Sequence, residues 1–541
     1  MRIYTVLIGK LRTKSRAVTE KMKVMFISME HRKYIPVVLI FVISSIFSFY
    51  KVGSSVMNID GDRWYLRTAG FMKEVKRLNF EKTYQNSKPG ITVMWLSGIS
   101  SEVFYQLYEA KYHFRPDFFT YETFPLVFTS YVSPLVLVNL LSGLVFYFLV
   151  KELTHKDRIA LFSYILFAFH PFYLGLSRFL HVDSLMTNFV VLSYLFFLLY
   201  LKKQKQLRFL FLSGILFGLA LLTKTQALVV LPIMFVSSVL HFLSIKSYLS
   251  EPKQKSSRKI YVPSFIKVVI RPLLICCSVA LIVYFIVFPA MWVKPINTLK
   301  SVFSEAAYVA TTGRSVENVK PFYSYILMLD HTISYPILGI FLAGCIYIFL
   351  KRDSIPKETR LTYLQLMIFP FIYFLEISVV KQKIDRYLLP AFPFVFIGCS
   401  IFLSQFKYAD IIAGISALVL VGVLIYYAPN YPIFGCGDYE CTYGYMFKEV
   451  GDYINANTNR KHPNVVTMTK VNSLKPFING NTFTGEIGTI PSGLKVDYLV
   501  TNASFIKTRG IPNVLSNCSF LHRVYFHNVT FYDIYSCYSG K

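Results

Sequence analysis

The sequence predicts an all-α polytopic membrane protein with about 11 transmembrane helices, interfacial helices in its first outer loop and a small α/β extracytoplasmic C-terminal domain. Three observations carry this reading. Of the 541 residues 54% are hydrophobic and only 16% charged, whereas soluble chains run near a quarter charged. The mean hydropathy is +0.47. Fifty Phe and 39 Tyr suit a bilayer and its interfaces. Soluble, disordered and collagen-like classes are excluded on these grounds.

The spans are read as apolar runs of about 18 residues or more with few charges. Eleven fit: 34–51, 124–150, 158–176, 184–201, 207–222, 225–245, 270–290, 323–350, 361–380, 387–404 and 409–428. None alternates as a barrel strand would. Helices are therefore the spanning form, because backbone groups must be satisfied within lipid.

Charge sets the expected orientation. With the N-terminus inside, the inner segments 1–33, 151–158, 202–208, 246–271, 351–360 and 404–408 hold 28 of the 57 Lys and Arg. Seven acidic residues fall within these segments, and Asp410 lies just beyond the last of them. The formal charge of +28 is thus a membrane-orientation signal and implies no nucleic-acid partner. The organisation expected is a basic cytoplasmic N-terminus (1–33), a transmembrane module (34–428) and an extracytoplasmic domain (429–541).

Two features of the C-terminal segment agree with an outer location. The three Asn-x-Ser/Thr sequons, at Asn502, Asn517 and Asn528, all fall there. So do Cys436, Cys441, Cys518 and Cys537, candidates for disulfides in an oxidising compartment. The other four cysteines lie in apolar runs and read as packing residues. Within the tail, Tyr445–Asn455 reads as a helix and 464–469 and 496–501 as strands.

The first outer loop, 52–123, is too long for a plain connection. After Asn58-Ile-Asp60-Gly-Asp62-Arg63, apolar residues recur at helical spacing from Trp64 to Leu78. A second such pattern follows Pro89-Gly90 and runs to Leu107. Both read as amphipathic helices along the membrane surface. The polar residues at their junction are Asp60, Asp62, Arg63 and Lys88. One helix needs one N-cap, and two carboxylates are present.

These residues resemble a family. Asp60-Gly-Asp-Arg63, followed by Asn86-Ser-Lys-Pro-Gly-Ile-Thr-Val-Met-Trp95, is similar to the first outer loop of the GT-C membrane glycosyltransferases. The family 39-like branch, with the protein O-mannosyltransferases and the lipid A aminoarabinose transferase, is the nearer resemblance. Ser177-Arg178-Phe-Leu-His181-Val-Asp183, Gly218-Leu-Ala-Leu-Leu-Thr-Lys224 and Lys383-Ile-Asp385-Arg386-Tyr387-Leu-Leu-Pro390 resemble its later motifs, in order. Gly61 replaces the Glu that usually follows the loop Asp.

The resemblance implies a membrane glycosyltransferase that moves a sugar from a polyprenyl- or dolichyl-phosphate carrier to a protein, lipid or glycan acceptor on the outer face. It implies that Asp60 or Asp62 is the catalytic base. Inverting displacement needs a base for the acceptor hydroxyl. The leaving phosphate needs cations, for which Arg63, Lys88, Arg178, Lys224, Lys383 and Arg386 are candidates. Asp183 is an N-cap, a partner for Arg178 or a substrate contact, and Tyr387 supports the site. No cofactor is required. His170, His181 and Asp183 lack metal-ligand spacing, which makes a divalent metal an unfavoured alternative. The rival function is a lipid-linked-sugar transporter or flippase, which would place ionisable groups at mid-membrane. Here the charges concentrate at one face, and Glu376 falls within a span near its outer end.

Overall fold

The structure, a computed structural model, describes residues 34–55, 57–58, 60–85, 89–203, 206–249, 264–313, 319–431, 446–485, 493–502, 517–527 and 529–537. Lys88, Cys436, Cys441, Asn528 and the N-terminus 1–33 lie outside the described residues.

The chain enters through α1 (Ile35–Phe49), whose first turn carries Pro36 where no amide partner is needed. The outer loop then forms α2 (Gly61–Lys76) and α3 (Ile91–Tyr112), packed on each other. Next come α4 (Phe124–Thr154), α5 (Asp157–Phe169), α6 (Pro171–Ser177), α7 (Asp183–Lys202), α8 (Leu207–Thr223), α9 (Val230–Leu249) and α10 (Arg271–Val287). The amphipathic α11 (Pro295–Thr311), α12 (Ser324–Thr332), α13 (Tyr335–Leu350), α14 (Lys357–Val379), α15 (Phe392–Leu403) and α16 (Ala409–Tyr427) complete the bundle.

Among the described residues eight helices are long and apolar enough to cross a membrane, or up to ten if each of two bent pairs counts as one span. The expected count of eleven differs for three local reasons. The run 158–176 bends by 60° between α5 and α6, where Pro171 cannot continue the hydrogen-bond ladder. The run 323–350 turns by 108° between α12 and α13, at Ser334 with φ 71°. The run 207–222 forms a helix of 17 residues, below the length of a full span.

The core sits around α7 and the span Asp385–Leu403 that ends in α15, whose apolar windows are 89% and 83% buried, whereas that of α16 is 17% buried and presents its side chains outward. Close crossings rest on glycine. A Cβ on Gly218 of α8 would stand 2.8 Å from the carbonyl oxygen of Ala280 on α10.

The C-terminal domain pairs α17 (Phe447–Asn457) and the short α18 (Val471–Leu474) with a five-stranded sheet. Its strands are β1 (Asn464–Thr467), β2 (Asn481–Thr484), β3 (Tyr498–Asn502), β4 (Ser519–Phe526) and β5 (Val529–Ser536), in the order β2-β1-β3-β5-β4. β1 runs parallel to β2 and β3; β5 runs antiparallel to β3 and β4. Cys518 and Cys537 form a disulfide across the open end of the β4–β5 hairpin. The domain meets the first outer loop: α18 packs on α2, and Phe477 lies edge-on to Phe124 at 4.9 Å.

Candidate active site

The site begins at the N-terminus of α2. Asp60 holds the N-cap position but makes no side-chain cap bond. Its carboxylate instead faces Arg63 Nη1 at 3.4 Å, Arg386 Nη2 at 3.6 Å and the His181 ring, whose Nε2 lies at 3.7 Å. The Asp60 side chain remains 23% exposed. Asp62, two residues on, is buried, and its Oδ1 has no hydrogen-bond partner among the described residues. Burial pushes its carboxyl above the ordinary range, against the opposing pull of the Arg63 amide and of Lys470 in the C-terminal domain. Buried Asn58 stands beside this turn, its side-chain amide likewise without a partner among the described residues.

A second carboxylate lies below. Asp183 opens α7, and its 3%-exposed side chain holds Lys224 Nζ at 2.6 Å, Arg386 Nε at 2.9 Å and His181 Nδ1 at 3.1 Å. Lys224 follows the last residue of α8 in an extended conformation, φ −160° and ψ 133°, where the helix gives way to a 3-10 turn. Its ammonium sits 3.9 Å from the Tyr387 ring centroid. Arg386 and Tyr387 belong to the 3-10 segment Asp385–Ala391, fixed by Asp385 accepting from the Arg386 amide at 2.7 Å and pairing with His331 at 3.2 Å. Two carboxylates thus face three permanent cations, Arg63, Lys224 and Arg386. Three such cations gathered in one place suit an anionic ligand.

The first outer loop is tied to this cluster by its backbone. Gly90 donates its amide to the Thr223 carbonyl at 3.2 Å, and the Thr92 and Thr223 hydroxyls meet at 2.6 Å. Gly90 has φ +58°, and a Cβ there would stand 2.1 Å from Trp64 Cζ3, so glycine alone permits this approach. Trp64 in turn meets His181 edge-on at 6.1 Å.

Beside Lys224 and Tyr387 opens a cavity of about 210 Å³. Gln226 and Glu305 add polar groups to its wall, while Val229, Val309, Ala310, Ile377 and Val380 make the rest apolar. The cavity therefore joins a cationic end to a hydrocarbon-like one. Among the described residues no group of three His, Cys, Asp or Glu could hold a metal ion.

The sequence-predicted residues divide. Asp60, Arg63, Asp183, Lys224, Arg386 and Tyr387 converge, with Asp62 adjoining. Lys383 is buried next to the cavity wall, donating to the Val380 carbonyl at 2.5 Å, and desolvation pulls its ammonium below the ordinary range. Arg178 is engaged elsewhere. Fully buried, it donates to the carbonyls of Ser48 at 3.0 Å, Pro429 at 2.9 Å and Tyr50, and it covers the Tyr431 ring. Asp183 accordingly pairs with Lys224 and Arg386, and Val182 takes the N-cap position of α7. His181, weighed in the sequence only against a metal, bridges both carboxylates. Its place between Arg178 and Asp183 was the available signal.

Residues 122–275 match the family model described as dolichyl-phosphate-mannose-protein mannosyltransferase, a segment that contains Asp183 and Lys224 but neither Asp60 nor Arg386. No curated protein sequence matches the chain. Among solved structures, ArnT from Cupriavidus metallidurans bound to undecaprenyl phosphate aligns at TM-score 0.53 and 12% identity, over 93% of this chain and 98% of that one. Its apo state gives 0.53 and 11% over the same shares. The Archaeoglobus fulgidus oligosaccharyltransferase in its apo form aligns at 0.45 and 15%, over 88% of this chain and 70% of that one. The fold of this chain is that of ArnT.

Proposed function

We propose, for a chain with the GT-C fold and a family 39-like segment, that it is an inverting glycosyltransferase drawing its sugar from a polyprenyl- or dolichyl-phosphate carrier. The observation that carries this reading is the ionic network that runs from Asp60 through Arg386 and Asp183 to Lys224, which itself lines a largely apolar cavity. A lipid-linked phosphate has the same division into anionic head and apolar chain. The solved ArnT structure bound to undecaprenyl phosphate adds support from a shared fold.

In this scheme Asp60 accepts the proton of the acceptor hydroxyl as its oxygen bonds to the anomeric carbon. The bond from that carbon to the phosphate oxygen breaks, and its electron pair leaves with the carrier phosphate. Lys224 and Arg386 stabilise the departing charge, with Lys88 and Lys383 as further candidates. Asp183 and His181 position the two cations. Asp60 is favoured over Asp62 because its carboxylate is partly exposed and already faces the cluster. The Cys518–Cys537 disulfide supports an extracytoplasmic C-terminal domain and an outward-facing site, and the basic charge of segment 1–33 supports a cytoplasmic N-terminus.

The test is transfer in proteoliposomes from radiolabelled polyprenyl-phosphate sugars to membrane-extract acceptors. Asp60→Asn is expected to lower transfer about 10²–10⁴-fold with carrier binding intact. Loss in Asp62→Asn alone would move the base by two residues. Carrier movement across the bilayer, insensitive to both substitutions and without transfer, would replace the enzyme with a flippase.

A further inference from the structure

A second cavity, of about 550 Å³, lies between α2, α3 and the start of α4. It is lined by neither Asp60 nor Asp183, nor by any residue of the first cavity. Four cations border it: Lys73, Lys76 and Arg77 from α2 and its C-terminus, and Arg115 from the loop after α3. Glu102 takes two of them, pairing with Lys76 and, at 3.3 Å, with Arg115. Asp117 is occupied with its own turn, accepting from the Phe119 amide at 3.1 Å and the Thr120 hydroxyl at 3.3 Å. Lys73 and Arg77 have no carboxylate partner among the described residues. Four cations against two carboxylates leave the cavity two charges positive.

Its floor is aromatic. Tyr105 and Tyr131 are buried beneath it, Tyr65 lies 5.1 Å from Tyr131 between ring centroids, and the Arg115 guanidinium is held 4.1 Å above the Tyr105 ring. Phenol rings under a cationic rim accommodate a polyol or sugar with an attached anion. The position is interfacial. The opposite face of α3 exposes Ile99, Val103 and Leu107, four residues apart, a stripe suited to lipid. The cavity therefore stands at the depth where headgroups meet water.

We propose that this cavity binds a phosphate ester, with Lys73 and Arg77 as its principal anchors. A phosphate monoester carries about −1.5 to −2 charges at neutral pH, which matches the surplus of two. The guanidinium of Arg77 offers a fork to its oxygens and Lys73 a point charge. The ester arrives either on a membrane lipid or on a soluble phosphorylated polyol.

The test uses the full chain in detergent micelles, titrated calorimetrically with dioctanoyl phosphatidic acid and, separately, with glycerol 3-phosphate. Wild type is expected to bind, more weakly as salt is raised. K73Q/R77Q, which alters two exposed side chains, is expected to bind at least tenfold more weakly with an unchanged melting temperature. Lys294→Gln, which removes an exposed cation paired with Glu81 elsewhere, should bind as wild type does. Binding of the lipid alone assigns the site to a headgroup; binding of both assigns it to the ester itself. No binding of either, or equal binding by K73Q/R77Q, overturns the proposal.

Discussion

Asp60 and Asp183 are joined through a shared cation, Arg386, which reaches the first at 3.6 Å and the second at 2.9 Å. The carboxylate proposed as base and the buried carboxylate that orders the cations therefore form one network. A change at either is transmitted to the other through the Arg386 guanidinium and through the His181 ring, which also touches both.

Asp183→Ala removes the counter-charge of two enclosed cations. Breaking such a buried pair costs about 3–5 kcal/mol. The expected outcome is a lower melting temperature in detergent together with lost transfer, with a smaller loss in Asp183→Asn. A variant that melts with wild type would contradict the pairing described.

Gly90→Ala places a Cβ inside the Trp64 ring at a left-handed backbone position. Strain and overpacking of this kind cost about 1–3 kcal/mol. Displacement of Trp64 also reaches His181, so kcat should fall along with the melting temperature.

Tyr387→Leu keeps the bulk beside Lys224 but removes the aromatic face. The contact is worth about 0.5–2 kcal/mol. The KM for the lipid-linked donor should rise by about two- to thirtyfold, as read in initial-rate measurements.

Burial pushes the Glu449 carboxyl, on α17, up to about 6 from its ordinary 4.5. The folded chain therefore holds this proton to higher pH than the unfolded chain. Stability falls as pH rises from 4.5 through about 6, and the penalty then stays constant. Its full size is about 2 kcal/mol. Glu449→Gln should raise the resistance of the C-terminal domain to proteolysis at pH 7.5 and leave it near wild type at pH 4.5; equal behaviour at both would exclude the linkage.

The Cys518–Cys537 bridge closes a separation of 19 residues. Chain-entropy arguments assign such a loop about 3 kcal/mol. Cys518→Ser with Cys537→Ser should render the β4–β5 hairpin protease-sensitive, and reductant should do the same to wild type.

Much of this fold is legible in the sequence because lipid imposes a simple rule on composition. The interfacial helices are equally plain, since Trp64 to Val75 and Ile91 to Leu107 repeat at helical spacing. Breaks within spans are less so. Asp330 and His331 already marked the run 323–350 as unsuited to lipid, and Pro171 marked the run 158–176. The β4–β5 hairpin carries aromatic and β-branched strand residues on both sides of His527 and Asn528, yet its polar positions obscure the period. Lys224 and Arg386 can each be singled out by their local motifs. That both meet one carboxylate, across 41 and 203 residues of chain, depends on helix packing that no local pattern records.

Arg178 clasps the C-terminal ends of α1 and of the last span, through the carbonyls of Ser48 and Tyr50 on one side and Pro429 on the other. The bundle is in this sense a closed belt rather than an open row. Its buckle is half made early in synthesis and finished only when a residue 251 positions further on has been inserted. Until then one arm of a guanidinium destined for full burial lacks its acceptor. The last span, although it presents most of its surface outward, is thus the step that seals the first one in place.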